Sequence, residues 1–186
     1  MKNNLTALRS ALLVSFLSFG TAMSAETTKS TTTATERHSA AANATNTKLK
    51  GSDRNFIEKA AKSGMKDVSV SQTAMDRLMN PKVKEFAQMM VMNHSAVNTE
   101  LMALASAKGV VLPPQDMKQD EKWSKKNKGV DKDYMDEMVS NHKDSVELFE
   151  KAAKSDDAEI AAFASKTLPK LQQHHLMAKD LQKAVK

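Results

Sequence analysis

The chain contains no cysteine. Disulfides, thiolate metal sites, thiol nucleophiles and the lipidated cysteine of a bacterial lipoprotein anchor are therefore excluded, and stability has to come from packing. Aromatic residues make up only 4% of the chain, with one Trp and one Tyr, against 13 Met. That bias belongs to helical bundles more than to sheet sandwiches, whose strands favour aromatic and β-branched side chains. There is no Gly-rich phosphate loop, no serine in a nucleophile elbow and no carboxylate pair spaced for glycoside cleavage. Covalent catalysis has no motif here, so binding is expected ahead of enzyme activity.

A large charge of one sign is also missing from the part that folds. The formal net charge is +6, which alone would suggest nucleic acid. Of the 28 basic and 22 acidic residues, however, six and two lie before Asp53, leaving 22 against 20 beyond it. The two signs alternate along the helices as a mixed solvated surface, which excludes a nucleic-acid stripe.

The 186 residues suffice for one domain with a real core. Residues 1–25 have the pattern of a secretory signal: a basic start, an apolar run from Ala11 to Phe19, then small residues, with cleavage after Ser24 or after Ala25. The run is too short for a spanning helix, which takes about 20 apolar residues, so no transmembrane segment is expected after cleavage. Export is expected, to the periplasm first, with the outer envelope or the medium as further destinations. Residues 26–51 are rich in Thr, Ser and Ala, cannot bury enough surface to offset ordering entropy, and read as a disordered linker.

Residues 52–186 read as an all-α, four-helix bundle domain. Ser52 or Asp53 is placed to cap the first helix, in which Phe56, Ala60, Ser71, Ala74 and Leu78 share a face. Gly64 lies within it, costs about 1 kcal/mol relative to Ala and is read as a bend. Asn80 as cap and Pro81 as first residue open the second helix, which runs to about Lys108 with Val83, Phe86, Met90, Val97, Leu101 and Leu104 inward. Val110 to Val130 is then a long crossover anchored by Trp123, with room for a short helix. Its length frees the next helix from having to run antiparallel. The third long helix spans Asp131 to Lys154. The fourth starts at Asp156 or Asp157 and should be kinked or broken by Pro169.

One pattern recurs. Met90–His94 and Met138–His142 both read Met-Val-x-Asn-His, and each histidine falls on the apolar arc of its helix. With Asp67 and His174 this gives one inward ionisable residue per long helix. Counting from the turn at Asn80 puts Asp67 and His94 at one level, about 20 Å along each helix.

Two readings follow. Asp67, His94, His142 and His174 hold one divalent metal ion, Zn, Fe, Cu or Mn, with Asn93 and Asn141 orienting the ligands. Alternatively, the same groups hydrogen-bond one another and only fix helix register. A di-iron oxidase is disfavoured, because Glu-x-x-His would need Glu where Val91, Val139 and Leu171 stand. Met75, Met79, Met89, Met90, Met92, Met135, Met138 and Met177 add soft thioethers suited to Cu(I), although core packing explains Met90 and Met138 equally well.

The segments FIEKAAKSGMKDV, VKEFAQMMVMNH with a following LP, YMDEMVSNH and FASKTLPKLQQHHLMA resemble exported bacterial proteins grouped as domain of unknown function 4142. The resemblance spans Asp53 to Leu181. It implies a ferritin-like four-helix bundle in the periplasm or outer envelope, with the acidic position at Asp67 and histidines at His94, His142 and His174. It implies no activity. Where the family often has Asp-His, this chain has Asn93-His94 and Asn141-His142, which removes two carboxylates from any acidic multi-metal site. The functional expectation is an exported binding protein with a buried His/Asp site, serving envelope stress tolerance. The alternative is a structural or interaction module that meets another envelope protein.

Overall fold

The computed structural model describes residues 49–114 and 120–185; the expected signal and nearly all of the expected linker lie outside them. Four long helices, α1 (Gly51–Met75), α2 (Pro81–Ala107), α4 (Val130–Ala152) and α5 (Ala158–Ala184), are joined in order, with the single-turn α3 (Glu121–Ser124) inside the crossover. α1 packs on α2 and α4 on α5 as hairpins, while α1 also meets α4 and α2 meets α5. The crossover carries the chain back along the bundle. As a result α2 and α4 run the same way and lie on a diagonal, which is the up-down-down-up order of a ferritin-like bundle.

Local chemistry explains the helix ends. Asn80 accepts from the Lys82 amide at 2.9 Å ahead of Pro81, and Asp157 accepts from Glu159 and Ile160 at 3.1 and 3.2 Å. α2 stops where Gly109 takes φ +64 and the Val110 amide reaches back to the Ala105 carbonyl at 2.8 Å. Asp131 ties the other end together, accepting from the amides of Met79 and Asn80 at 3.1 and 3.0 Å.

Three expectations are corrected. α1 begins at Gly51 with Lys50 as its uncapped N-cap, and Asp53, buried in the first turn, instead accepts from the Ser155 hydroxyl at 2.8 Å. Gly64 does not interrupt α1. A Cβ there would lie 2.1 Å from Asn98 Oδ1, so glycine serves the close approach of α2 rather than a bend. Of the two outcomes expected at Pro169, a kink or a break, the break does not occur, and the residue sits inside an unbroken α5. Pro169 and Ser165, whose carbonyl loses its partner, are both exposed, so water can take the freed acceptor.

The core divides into two clusters. At one end Phe56, Phe149 and Phe163 meet with centroid separations of 5.1, 6.0 and 6.3 Å, among Ile57, Leu101 and Ile160. At the other, Phe86, Trp123 and Tyr134 pack with Met90, Met135 and Met138. Each fully buried large side chain contributes roughly 1.5–3 kcal/mol of transfer free energy. Trp123 is the expected anchor: it is wholly buried, stands edge-on to Tyr134 at 5.8 Å and carries Lys122 over its ring. Lys66 and Lys122 both reach Glu137, at 2.8 and 2.6 Å, and add a modest electrostatic clasp on the same segment.

Candidate metal centre

Between the two clusters lies a polar layer, built by one turn from each long helix. His94, His142 and His174 are 5%, 0% and 2% exposed, and one nitrogen from each ring falls within 4.8 Å of the other two. The ring centroids form a near-equilateral triangle of 5.3, 5.4 and 5.5 Å. Helical periodicity is what brings them together. Each histidine continues the arc that carries Met90, Met138 or Ala178 one turn away.

Hydrogen bonds fix two of the three rings. Nδ1 of His142 is 2.9 Å from the Met138 carbonyl, which only accepts, so Nδ1 carries the proton and a neutral ring presents its lone pair at Nε2. That Nε2 lies 3.3 Å from Nε2 of His94. The other nitrogen of His94 faces Asp67, with Nδ1 to Oδ2 at 4.0 Å. Asn93 contacts Nε2 of His174 at 3.0 Å, leaving Nδ1 of His174 buried without a partner among the described residues.

The electrostatics favour lone pairs over charge. Burial first, then His142 and Lys170, lowers the His94 ring from 6.5 to about 3. Burial together with His94 and His142 lowers His174 to about 3 as well. At neutral pH these two rings are uncharged and available as donors to a cation. Burial raises the Asp67 carboxyl above its ordinary value, opposed by His142, by the hydrogen bond from Asn141 and by Lys66.

The four residues singled out from sequence do not all stand equivalently. The three histidines converge, whereas Asp67 is outside the group and lies behind His94. Its Oδ1 accepts from Asn141 at 3.0 Å and its Oδ2 has no hydrogen-bond partner among the described residues. Asn93 and Asn141 each touch one of the four, but not in the same way: Asn93 reaches His174 on α5, Asn141 reaches Asp67 on α1.

Periodicity missed a second polar layer, one turn toward the phenylalanine end. Asn98, four residues beyond His94, is 4% exposed with neither amide atom partnered, and Ser63 and Ser145 share a hydrogen bond of 3.2 Å. The signal was the spacing from His94 combined with Gly64 on the facing helix.

A model of the family described as a domain of unknown function, DUF4142, matches residues 38–181. No curated protein matches the chain. Among solved structures it is similar to a fragment of a DUF305 protein from Deinococcus radiodurans, at 9% identity and a TM-score of 0.61, over 73% of this chain and 97% of that one. It is also similar to a conserved hypothetical protein, rv2844, from Mycobacterium tuberculosis, at 17% identity and a TM-score of 0.56, over 73% and 99% of the two chains. At these identities the likeness establishes the fold alone.

Proposed function

The chain belongs to this family of domains of unknown function, DUF4142, and from that premise, which assigns no activity, we propose that it binds one divalent first-row metal ion through His94, His142 and His174. The observation that carries the reading is the 3.3 Å between the Nε2 atoms of His94 and His142. Metal–nitrogen bonds of about 2.0–2.1 Å at a tetrahedral angle separate two ligand nitrogens by about 3.3 Å. As a hydrogen bond between two nitrogens the same distance is long. Neutral imidazoles without thiolate or a bound carboxylate suit Zn and Cu(II) above Mn, and Fe falls between.

Asp67 then acts through His94 rather than on the ion. With the ion on Nε2, Nδ1 of His94 carries the proton and points toward the buried carboxylate, an arrangement that orients the ring and strengthens it as a ligand. For His174, turning the Asn93 amide so that Oδ1 accepts from Nε2 leaves the unpartnered Nδ1 with a free lone pair.

The test is titration of metal-free protein with Zn and Cu(II) against a competing chelator, with bound metal counted by elemental analysis. One ion per chain is expected. His142→Ala should weaken binding beyond the roughly 10–100-fold that loss of an outer partner costs. Substoichiometric metal in both proteins would sink the reading. It would leave the alternative, favoured by the Asn141–Asp67 and Asn93–His174 hydrogen bonds, in which the layer only sets helix register within an envelope interaction module.

Residues 1–25 support a site of action outside the cytoplasm. Among the described residues no helix is long and apolar enough to cross a membrane. Fractionation should recover protein in the periplasm with a mature terminus at Ala25 or Glu26. Sequestering surplus Zn or Cu there is the form of envelope stress tolerance such a site can serve. Cells lacking the protein should then be more sensitive to these ions, and wild type but not His142→Ala should restore growth.

A further inference from the structure

We propose that Asn98 holds an exchangeable fourth ligand of the ion, a water or a water-sized anion, in a cavity on the phenylalanine side of the histidine layer; this rests on the metal reading above. The chain supplies three converging nitrogens, and the Asp67 carboxylate stands outside their group. Asp67 is held at Oδ1 by Asn141, and its Oδ2 stands against the far nitrogen of His94. Zinc and copper sites with three protein ligands keep an open position for a small molecule.

The structure has a place of that size against one ring of the layer. A cavity of about 20 Å³ is walled by His94, Asn98, Ser63 and Ser145 and closed by Phe149 and Leu171. A water needs at least about 10–15 Å³, so one fits and little more does. His94 belongs to both this cavity and the histidine layer. Four polar side chains, those of Ser63, His94, Asn98 and Ser145, thus interrupt an otherwise apolar wall that includes Phe149.

Asn98 is the group that gives the cavity its chemistry. Its side chain is buried, and its amide nitrogen and oxygen both lack partners among the described residues. One amide therefore offers a donor and an acceptor to a single small ligand. The neighbouring helix is shaped around it, because any side chain at position 64 would drive its Cβ to within 2.1 Å of Asn98 Oδ1. The Ser63 and Ser145 hydroxyls complete a polar rim, and their mutual hydrogen bond leaves each with capacity for another.

The experiment uses the Cu(II)-loaded protein and fluoride, an anion close to water in size, with azide as the longer comparison. Paramagnetic resonance should show an exchangeable proton coupled to copper that disappears in heavy water, and fluoride should replace it with a fluorine coupling. Asn98→Leu should weaken fluoride about tenfold, the effect of one lost hydrogen bond to a charged ligand. Copper should still bind at one ion per chain, with an affinity loss no greater than the roughly 10–100-fold that an outer partner costs, because no nitrogen ligand is touched. Asn98→Ala, which does not overfill the site, should weaken fluoride similarly but admit azide.

Failure to bind copper at all overturns both this inference and the metal reading. Copper binding without an exchangeable ligand, or with fluoride affinity equal in wild type and both Asn98 variants, overturns this inference alone.

Discussion

The two ends of the bundle core solve the same packing problem with different side chains. The end built on Phe56, Phe149 and Phe163 uses stiff rings in edge and tilted contacts. The other uses Met90, Met135 and Met138 around Phe86, Trp123 and Tyr134, with the Tyr134 hydroxyl 2.7 Å from that of Ser71. Methionine bends into irregular gaps, whereas planar rings leave corners. The cavity beside His94 lies on the phenylalanine side, walled in part by Phe149. The difference gives the histidine layer a direction: thioethers and Trp123 seal one side, and a water-sized cavity that holds the Asn98 amide in its wall adjoins the other.

The sharpest way to break this contrast is to truncate one ring at each end. Trp123→Ala and Phe149→Ala should each destabilise the protein by about 3–5 kcal/mol in urea unfolding. They should differ in everything else. Trp123→Ala removes the anchor of α3 and should expose the crossover to proteolysis, with ion affinity nearly unchanged. Phe149→Ala enlarges the cavity and should let Cu(II)-loaded protein bind azide as well as fluoride. Identical behaviour of the two variants would show that the layer has no preferred side.

The next effect is that of the ion itself. Zn at 100 times its dissociation constant should add about 2.7 kcal/mol to stability, and none of it should appear in His142→Ala. The gain should persist in Trp123→Ala, whose damage is remote from the rings. Equal thermal shifts in wild type and His142→Ala would mean that Zn binds elsewhere.

Metal-free protein should also report the layer through pH. His94 and His174 bind fewer protons folded than unfolded between about 3 and 6.5. Their contribution is therefore complete above pH 6.5 and is lost as pH falls through that window. By pH 5.5 the two together should cost roughly 2–3 kcal/mol, and His174→Gln should halve the loss. Asp67, with its carboxyl raised by burial, works with the opposite sign, losing stability as pH rises above 3.8. A flat pH profile from 7 to 5.5 would contradict the burial of neutral rings.

Much of this layer was legible from periodicity, because four helices on a 3.6-residue repeat must turn every apolar arc toward one axis. His94, His142 and His174 lay on those arcs, and the count from Asn80 set Asp67 level with His94. The repeated Met-Val-x-Asn-His was harder to interpret. Its copies lie on the parallel diagonal helices α2 and α4, and each asparagine reaches the next antiparallel helix, meeting His174 in one case and Asp67 in the other. Two copies of one Met-Val-x-Asn-His pattern thus do different work, because their partners differ. What stayed hidden depended on separations of a few ångströms. The step of Asp67 behind His94, the role of Gly64 and the polar atoms of Asn98 follow from how closely α1 and α2 approach, which no spacing along one chain records.

The smallest effect separates thioether from imidazole chemistry. Met138 stands one turn from His142, and it is the backbone carbonyl of Met138, not its sulfur, that fixes the His142 ring. Met138→Leu keeps that carbonyl and nearly the same volume, so it should cost less than about 1.5 kcal/mol. Zn and Cu(II) affinities should be unchanged. If instead the Met-rich end supplied soft ligands, Cu(I) affinity would fall sharply in Met138→Leu while Zn affinity held. The sealed side would then be a second binding face, and the contrast between the two ends would need to be redrawn. The carbonyl contact predicts otherwise: methionine is there to pack without gaps beneath rings that the backbone holds in place.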